Sequence, residues 1–226
     1  EEEVSVVTGG PDVASDFTRL PFDHLVFTGS TSIGRKVAQA AADGLVPTTL
    51  ELGGKSPAVI CPSGSMAKAV KAIAYGKFVN AGQTCIAPDY VMVPRERMIE
   101  LAEQVVAEAR RAYPDVGADY SSLISDRAFD RMTTAIAEAE QGGAKVLRHP
   151  TPSDRSKRIL PPVVVLDAPE NCMLMREEIF GPVTSATTFK TAEEAIAIAN
   201  DTLYGLGAGV WTRDAHELYT MPRAIQ

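Results

Sequence analysis

A thiol and a carboxylate, each set close to glycine, are the side chains in this sequence best suited to covalent chemistry. The thiol is Cys85, which closes the stretch Asn80-Ala81-Gly82-Gln83-Thr84-Cys85. A thiolate is strongly nucleophilic, and a small glycine-containing loop lets backbone N–H groups approach a reacting oxygen. The carboxylate is Glu51, which opens Glu51-Leu52-Gly53-Gly54-Lys55-Ser56-Pro57. Together they are the parts needed to form a thioester and then hydrolyse it, the carboxylate taking a proton from water. Each also has a plainer reading. A cysteine in apolar sequence packs as a small hydrophobe, and a glutamate at a strand end pairs with a lysine. A third stretch, Gly29-Ser30-Thr31-Ser32-Ile33-Gly34, places glycine and hydroxyl residues where a strand gives way to a helix, whose positive end binds phosphate. It departs from the GxGxxG spacing, and an ordinary strand-to-helix turn uses similar residues.

Positioning these residues calls for alternating strands and helices. Val4 to Thr8 reads as a β-branched strand, Gly9-Gly10-Pro11 as the turn into a helix over Asp12 to Arg19, and His24 to Thr28 as the next strand. Ser30 to Ser32 offer caps for a helix with Ile33, Val37, Ala40 and Ala41 on one face, which ends at Asp43-Gly44 before a strand over Thr48 to Leu52. Beyond Pro57, strands are expected at Ala58–Ile60, Tyr90–Val93, Lys145–Arg148, Val163–Leu166, Thr184–Phe189 and Gly207–Trp211. Helices are expected over Ser65–Asn80, with Gly82 as a cap, then Arg95–Arg111, Asp126–Gln141, a run ending at Asn200, and the tail. Pro114–Ser125 and His149–Lys157 read as polar loops. Over the segment that ends at Leu52, strands alternating with helices at this spacing imply βαβ units and a parallel sheet.

The motifs at Glu51–Pro57 and Gly82–Cys85 resemble the two signatures of the aldehyde dehydrogenase superfamily. Phe27–Gly34 resembles its phosphate-binding turn, Glu177–Val183 its cofactor-ribose motif, and Asn200 with Tyr204-Gly205-Leu206 a later segment, all in the family's order. The resemblance implies an α/β fold: residues 1–51 as the C-terminal part of a Rossmann-like parallel-sheet cofactor domain, and 52–226 as an α/β catalytic domain that is truncated at its C-terminal end. It further implies Cys85 as nucleophile and Glu51 as general base, the latter working best if burial raises its pKa. Gly29, Ser30, Gly34, Leu52, Glu178 and Phe180 become contacts to NAD or NADP. The backbone N–H of Cys85 would supply one oxyanion donor; in the family the other is an asparagine upstream of this sequence. Leu45–Leu50 and Ala87-Pro88-Asp89-Tyr90 resemble the branch holding coniferyl aldehyde dehydrogenases and class 3 enzymes, which implies a bulky aromatic or long-chain aldehyde. The alternatives are a coenzyme A-acylating enzyme, against which Glu51 speaks, and a catalytically idle domain. Family members are about twice as long; the resemblance implies a homodimer or homotetramer for the full-length protein, and the piece alone, without the first half of the cofactor domain and the second oxyanion donor, is expected to be inactive.

Composition bounds what else is admissible. The 226 residues are 45% hydrophobic and carry a net charge of -7 with both signs interspersed, which suits a globular enzyme with small-molecule partners and argues against nucleic-acid or anionic-membrane surfaces. No run of apolar residues is long enough for a membrane span. Cys61, Cys85 and Cys172 have no metal spacing, and an odd count without a leader points to reduced thiols in the cytoplasm. Cys61 and Cys172 read as packing residues. His24, His149 and His216 are isolated, so no metal site is expected. Lys55, beside Gly-Gly and Ser, reads as solvated or bonded to backbone.

Overall fold

In the computed structural model, which describes residues 3–226, the chain separates into two compact units, Glu1–Gly53 and Gly54–Gln226. The first holds α1 (Pro11–Phe17), β1 (Leu25–Gly29), α2 (Thr31–Asp43) and β2 (Thr48–Leu52). Pro11 sits at the first turn of α1, where its missing N–H costs nothing. Ser30 caps α2, its Oγ accepting from the Ile33 N–H at 3.4 Å. The strands β1 and β2 pair in parallel, from Leu25 opposite Thr48 to Gly29 opposite Leu52. The expected strand over Val4 to Thr8 does not form: the segment is extended, and Val4, Val6 and Val7 are exposed. A β-branched run becomes a strand only with a ladder partner, and among the described residues of this unit the ladder is β1 with β2 alone.

The second unit contains β3 (Pro57–Ile60), α3 (Met66–Phe78), β4 (Tyr90–Val93), α4 (Met98–Ala112), α5 (Val116–Asp119), α6 (Asp126–Gln141), β5 (Lys145–Arg148), β6 (Val163–Leu166), α7 (Met173–Arg176), β7 (Val183–Thr188), α8 (Ala192–Asn200), β8 (Gly209–Trp211) and α9 (Ala215–Ala224). Its sheet has the order β5-β6-β7-β4-β3-β8. All neighbours run parallel except β5, which pairs antiparallel with β6. That edge can run antiparallel because the connection from β5 reverses the chain without a crossover helix. Two short helices were not legible in the sequence. One, α5, forms inside the expected loop because the Asp115 carboxylate accepts from the N–H groups of Gly117 and Ala118; the other is α7.

Period-two alternation sorts the central strands between two apolar layers. Ala58 and Ile60 of β3 and Val91 and Val93 of β4 face a large core built with α3, α4 and α6, whose members include Ile73, Leu101 and Met132. Val59, Cys61, Tyr90 and Met92 face a smaller one with Ala195, Ala199 and Met221 of α8 and α9. No helix among the described residues is long and apolar enough to cross a membrane. Buried apolar residues are concentrated in this second unit, whereas the first buries only Leu25, Val37 and Ala41 among its described apolar side chains. Amide hydrogen exchange on the 226-residue chain is therefore expected to empty β1 and β2 well before β4, β6 and β7. Equal protection in both sheets would contradict this distribution of the core.

Candidate active site

The cysteine loop begins where α3 stops. The helix ends at Phe78, short of the Gly82 expected to cap it, and a 3₁₀ turn, Val79–Gly82, follows. Its last residues enter the left-handed region, Asn80 at φ 51° and Ala81 at φ 52°. Gly82 continues there at φ +72°, and a Cβ on it would lie 2.1 Å from the carbonyl oxygen of Gly181. No side chain fits that approach, so glycine is what lets the cysteine loop lie against the segment carrying Glu178 and Phe180. Gln83 ties the loop down further: its amide donates to the carbonyls of Asn80 and Ser122, both at 3.1 Å, and its Oε1 accepts from the Ile124 N–H at 2.8 Å. Cys85 itself is exposed. Cys61 is buried against Met221, and burial, reinforced by the Glu217 charge, pushes its thiol up to about 12. Cys172 is half-buried and packs against the large core. Cys85 is thus the accessible thiol of the three.

The facing segment is pinned through its backbone. Arg131 of α6 donates to the carbonyl oxygens of Glu178 at 2.5 Å and Ile179 at 2.9 Å. Phe180, 39% exposed, adopts φ 47°, a left-handed conformation that strains a bulky side chain. Glu178 is partly buried, and its Oε1 has no hydrogen-bond partner among the described residues. Burial and the Asp89 charge push its carboxyl above the ordinary range, against the Gly54 N–H, Arg131 and Lys77. A carboxylate oxygen left without a donor fits a ribose hydroxyl.

Beneath both segments lies a buried charge cluster that sequence reasoning missed. Lys55 is neither solvated nor bonded to backbone alone: its Nζ donates to Asp89 Oδ2 at 2.6 Å and to the carbonyls of Leu174 and Glu177, each at 2.8 Å. All three of its donors are used. The other oxygen of Asp89 accepts from the Ile179 N–H at 3.0 Å and lies 3.6 Å from Lys77 Nζ. Lys77 is fully buried and its Nζ donates to no acceptor among the described residues. Burial lowers its pKa to about 8, with Asp89 opposing. A signal for Lys77 was present in the sequence, since it stands seven residues after Val70 on the apolar stripe of α3. The glycine motif is held to the later segment too. Lys55 N–H donates to the Tyr204 carbonyl at 3.0 Å, and Ser56 Oγ accepts from the Gly207 N–H at 3.2 Å. Asn200 joins the end of α9, donating to the Ala224 carbonyl at 2.9 Å.

The other expected site residues belong to the first unit. Glu51 and Leu52 lie on β2, with Glu51 exposed rather than buried. Gly29 ends β1, and Ser30 spends its hydroxyl on the helix cap and on Ser32 Oγ at 3.1 Å. Gly34 is buried because a Cβ there would stand 2.5 Å from Leu52 Cδ2, so the two residues pack helix onto strand.

The profile described as "Aldehyde dehydrogenase family" matches residues 1–226. The chain is 42% identical over 206 residues to the "Probable coniferyl aldehyde dehydrogenase" of Caulobacter vibrioides, covering 88% of this chain and 42% of that protein. Its fold matches the substrate-bound Staphylococcus aureus AldH with a TM-score of 0.90 at 30% identity, over 97% of this chain and 48% of that one. It also matches the Mycobacterium tuberculosis aldehyde dehydrogenase complexed with NAD+ with a TM-score of 0.86 at 34% identity, over 96% and 46%. The chain therefore spans less than half the length of these proteins.

Lys77 yields a stability test. Its folded pKa lies below the unfolded value of 10.5, so burying the cation costs stability in full below about pH 8, and the cost fades as pH rises to 10.5. The penalty is on the order of 3 kcal/mol. Lys77→Met leaves Asp89 paired with Lys55, so the variant should melt higher than the parent at pH 7, with the difference shrinking by pH 10. A variant less stable at pH 7 would contradict this assignment.

Proposed function

Because the chain belongs to the aldehyde dehydrogenase family, we propose that the full-length protein carrying it oxidises an aldehyde to the carboxylic acid, with NAD or NADP as oxidant. In this reading the first unit serves the cofactor domain and the second forms the catalytic domain. The observation that carries this reading is the seating of the cysteine loop on the Glu178 segment, Gly82 against Gly181, with an exposed thiol on one side and an unpartnered carboxylate oxygen on the other.

In this reading the Cys85 thiolate adds to the aldehyde carbon and the carbonyl oxygen becomes an alkoxide, stabilised by the Cys85 backbone N–H. The bound dinucleotide supplies one thing, an acceptor for the hydride that leaves that carbon. Expulsion of hydride converts the Cys85 adduct to a thioester. Glu51 takes a proton from water, the hydroxide adds to the thioester carbonyl, and the thiolate leaves with release of the acid. Glu178 accepts from ribose hydroxyls and Phe180 packs beside the nicotinamide. Gly29, Ser30 and Gly34 form the phosphate turn at the start of α2, with Leu52 alongside.

An aromatic, coniferyl-like or long-chain aldehyde is the proposed substrate. The coniferyl name of the Caulobacter relative supports it, as do two exposed apolar residues at the cysteine loop. Ile86 adjoins Cys85 and Ile124 is bonded to Gln83, at 65% and 78% exposure. Assembly as a homodimer or homotetramer follows from the family resemblance, and a cytoplasmic location suits three free thiols.

In the full-length protein, Cys85→Ser should abolish dinucleotide-dependent aldehyde oxidation while leaving dinucleotide binding nearly intact, because a hydroxyl is a far weaker nucleophile than a thiolate. Substantial remaining turnover would remove Cys85 from the mechanism. Glu51→Gln should stall hydrolysis after hydride transfer. Stopped-flow absorbance should then show a burst of reduced dinucleotide followed by slow turnover, and lost activity without a burst would place Glu51 earlier or outside the reaction.

A further inference from the structure

We propose that Asp89 is a positioning residue for cofactor binding: through its two carboxylate oxygens it fixes the 174–180 segment so that Glu178 and Phe180 present to the nicotinamide ribose. The inference rests on the reading of Glu178 given above. Asp89 stands four residues beyond Cys85, between the cysteine loop and β4, and its backbone is itself anchored. Its N–H donates to the Ser56 carbonyl at 2.8 Å, and its carbonyl accepts from Thr184 Oγ1 at 3.3 Å. From that fixed point Oδ1 takes the Ile179 N–H at 3.0 Å, directly between Glu178 and Phe180. Oδ2 orients Lys55, which spends its remaining donors on Leu174 and Glu177.

Three backbone groups of the segment therefore depend on one carboxylate, two of them by way of Lys55. Arg131 holds the carbonyls on the opposite side. A strained residue such as Phe180 at φ 47° keeps its conformation only where its surroundings over-determine it. Asp89 is 2% exposed and supplies the inner half of that constraint.

Asp89→Asn separates this role from a general structural one. The amide oxygen can still accept from Ile179, but the amide NH₂ then faces the Lys55 ammonium, donor against donor, and the hold on Leu174 and Glu177 is lost. In the full-length protein, titration calorimetry should show dinucleotide affinity weakened roughly tenfold, as expected when a buried charged hydrogen bond is lost. KM for the dinucleotide should rise in parallel, with KM for the aldehyde and the rate of Cys85 alkylation by iodoacetamide unchanged. The variant leaves two buried lysines without an anion, so Asp89→Asn with Lys77→Met provides a second version relieved of one of them and should show the same loss of affinity. Dinucleotide affinity within twofold of the parent in either folded variant, with only the melting temperature lowered, would overturn the inference. Glu178→Gln is the control: if it leaves affinity unchanged, the ribose reading fails and the inference falls with it. If Glu178→Gln weakens binding and the Asp89 variants do not, the inference alone falls.

Discussion

The buried Lys55–Asp89 pair is the contact on which the arrangement of the second unit's site depends. At 2.6 Å and almost fully enclosed, it joins residues 34 apart in sequence and reaches a third segment near residue 177. Removing two charges from water costs several kcal/mol for each ion, so such a pair adds little net stability. Its contribution is geometric. A carboxylate and an ammonium surrounded by backbone groups have few ways to satisfy all their bonds, and the one found here uses all three donors of Lys55 and both oxygens of Asp89. The residues after the glycine pair, the start of β4 and the Glu178 segment consequently share one fixed centre.

Around that centre the chain accepts local strain. Asn80, Ala81 and Phe180 all have positive φ, and they flank the contact of Gly82 with Gly181. Left-handed conformations at alanine and phenylalanine cost on the order of 1–3 kcal/mol each. The hydrogen bonds of Gln83 on one segment and of Arg131 on the other offset this cost. Lys77 adds a further unfavourable element, a buried cation beside an anion that already has a nearer partner. Two residues with unsatisfied polar atoms, Lys77 and Glu178, thus stand near the same aspartate.

Much of this was legible in the sequence where local pattern governs. The strands at Tyr90–Val93 and Val163–Leu166 are short apolar runs that the sheet buries completely, and helix α6 follows its apolar stripe from Phe129 to Ala139 with Ser125 as cap. Cys85 and the 177–183 motif stood out by residue type and order, and the structure shows an exposed thiol at the one and a pinned segment at the other. What failed was non-local. Val4–Thr8 has strand propensity but no ladder partner among the described residues, and the role of Gly82 comes from the carbonyl of the distant Gly181, not from α3. Asp89 read only as part of the branch-like segment Ala87-Pro88-Asp89-Tyr90, because nothing in its neighbours announces two lysines. Lys77 is the exception, since its place on an apolar helical face was a sign of burial already present in the sequence.

The central claim is that Cys85, seated beside the Glu178 segment, carries the substrate as a thioester. Acid quenching of the full-length wild-type protein during turnover of a carbonyl-labelled aromatic aldehyde, followed by peptide mapping, tests it most directly. The account predicts the acyl label on the peptide containing Cys85 and on no other cysteine. Label on the Cys61 or Cys172 peptide, or turnover with no labelled peptide at any quench time, would contradict it.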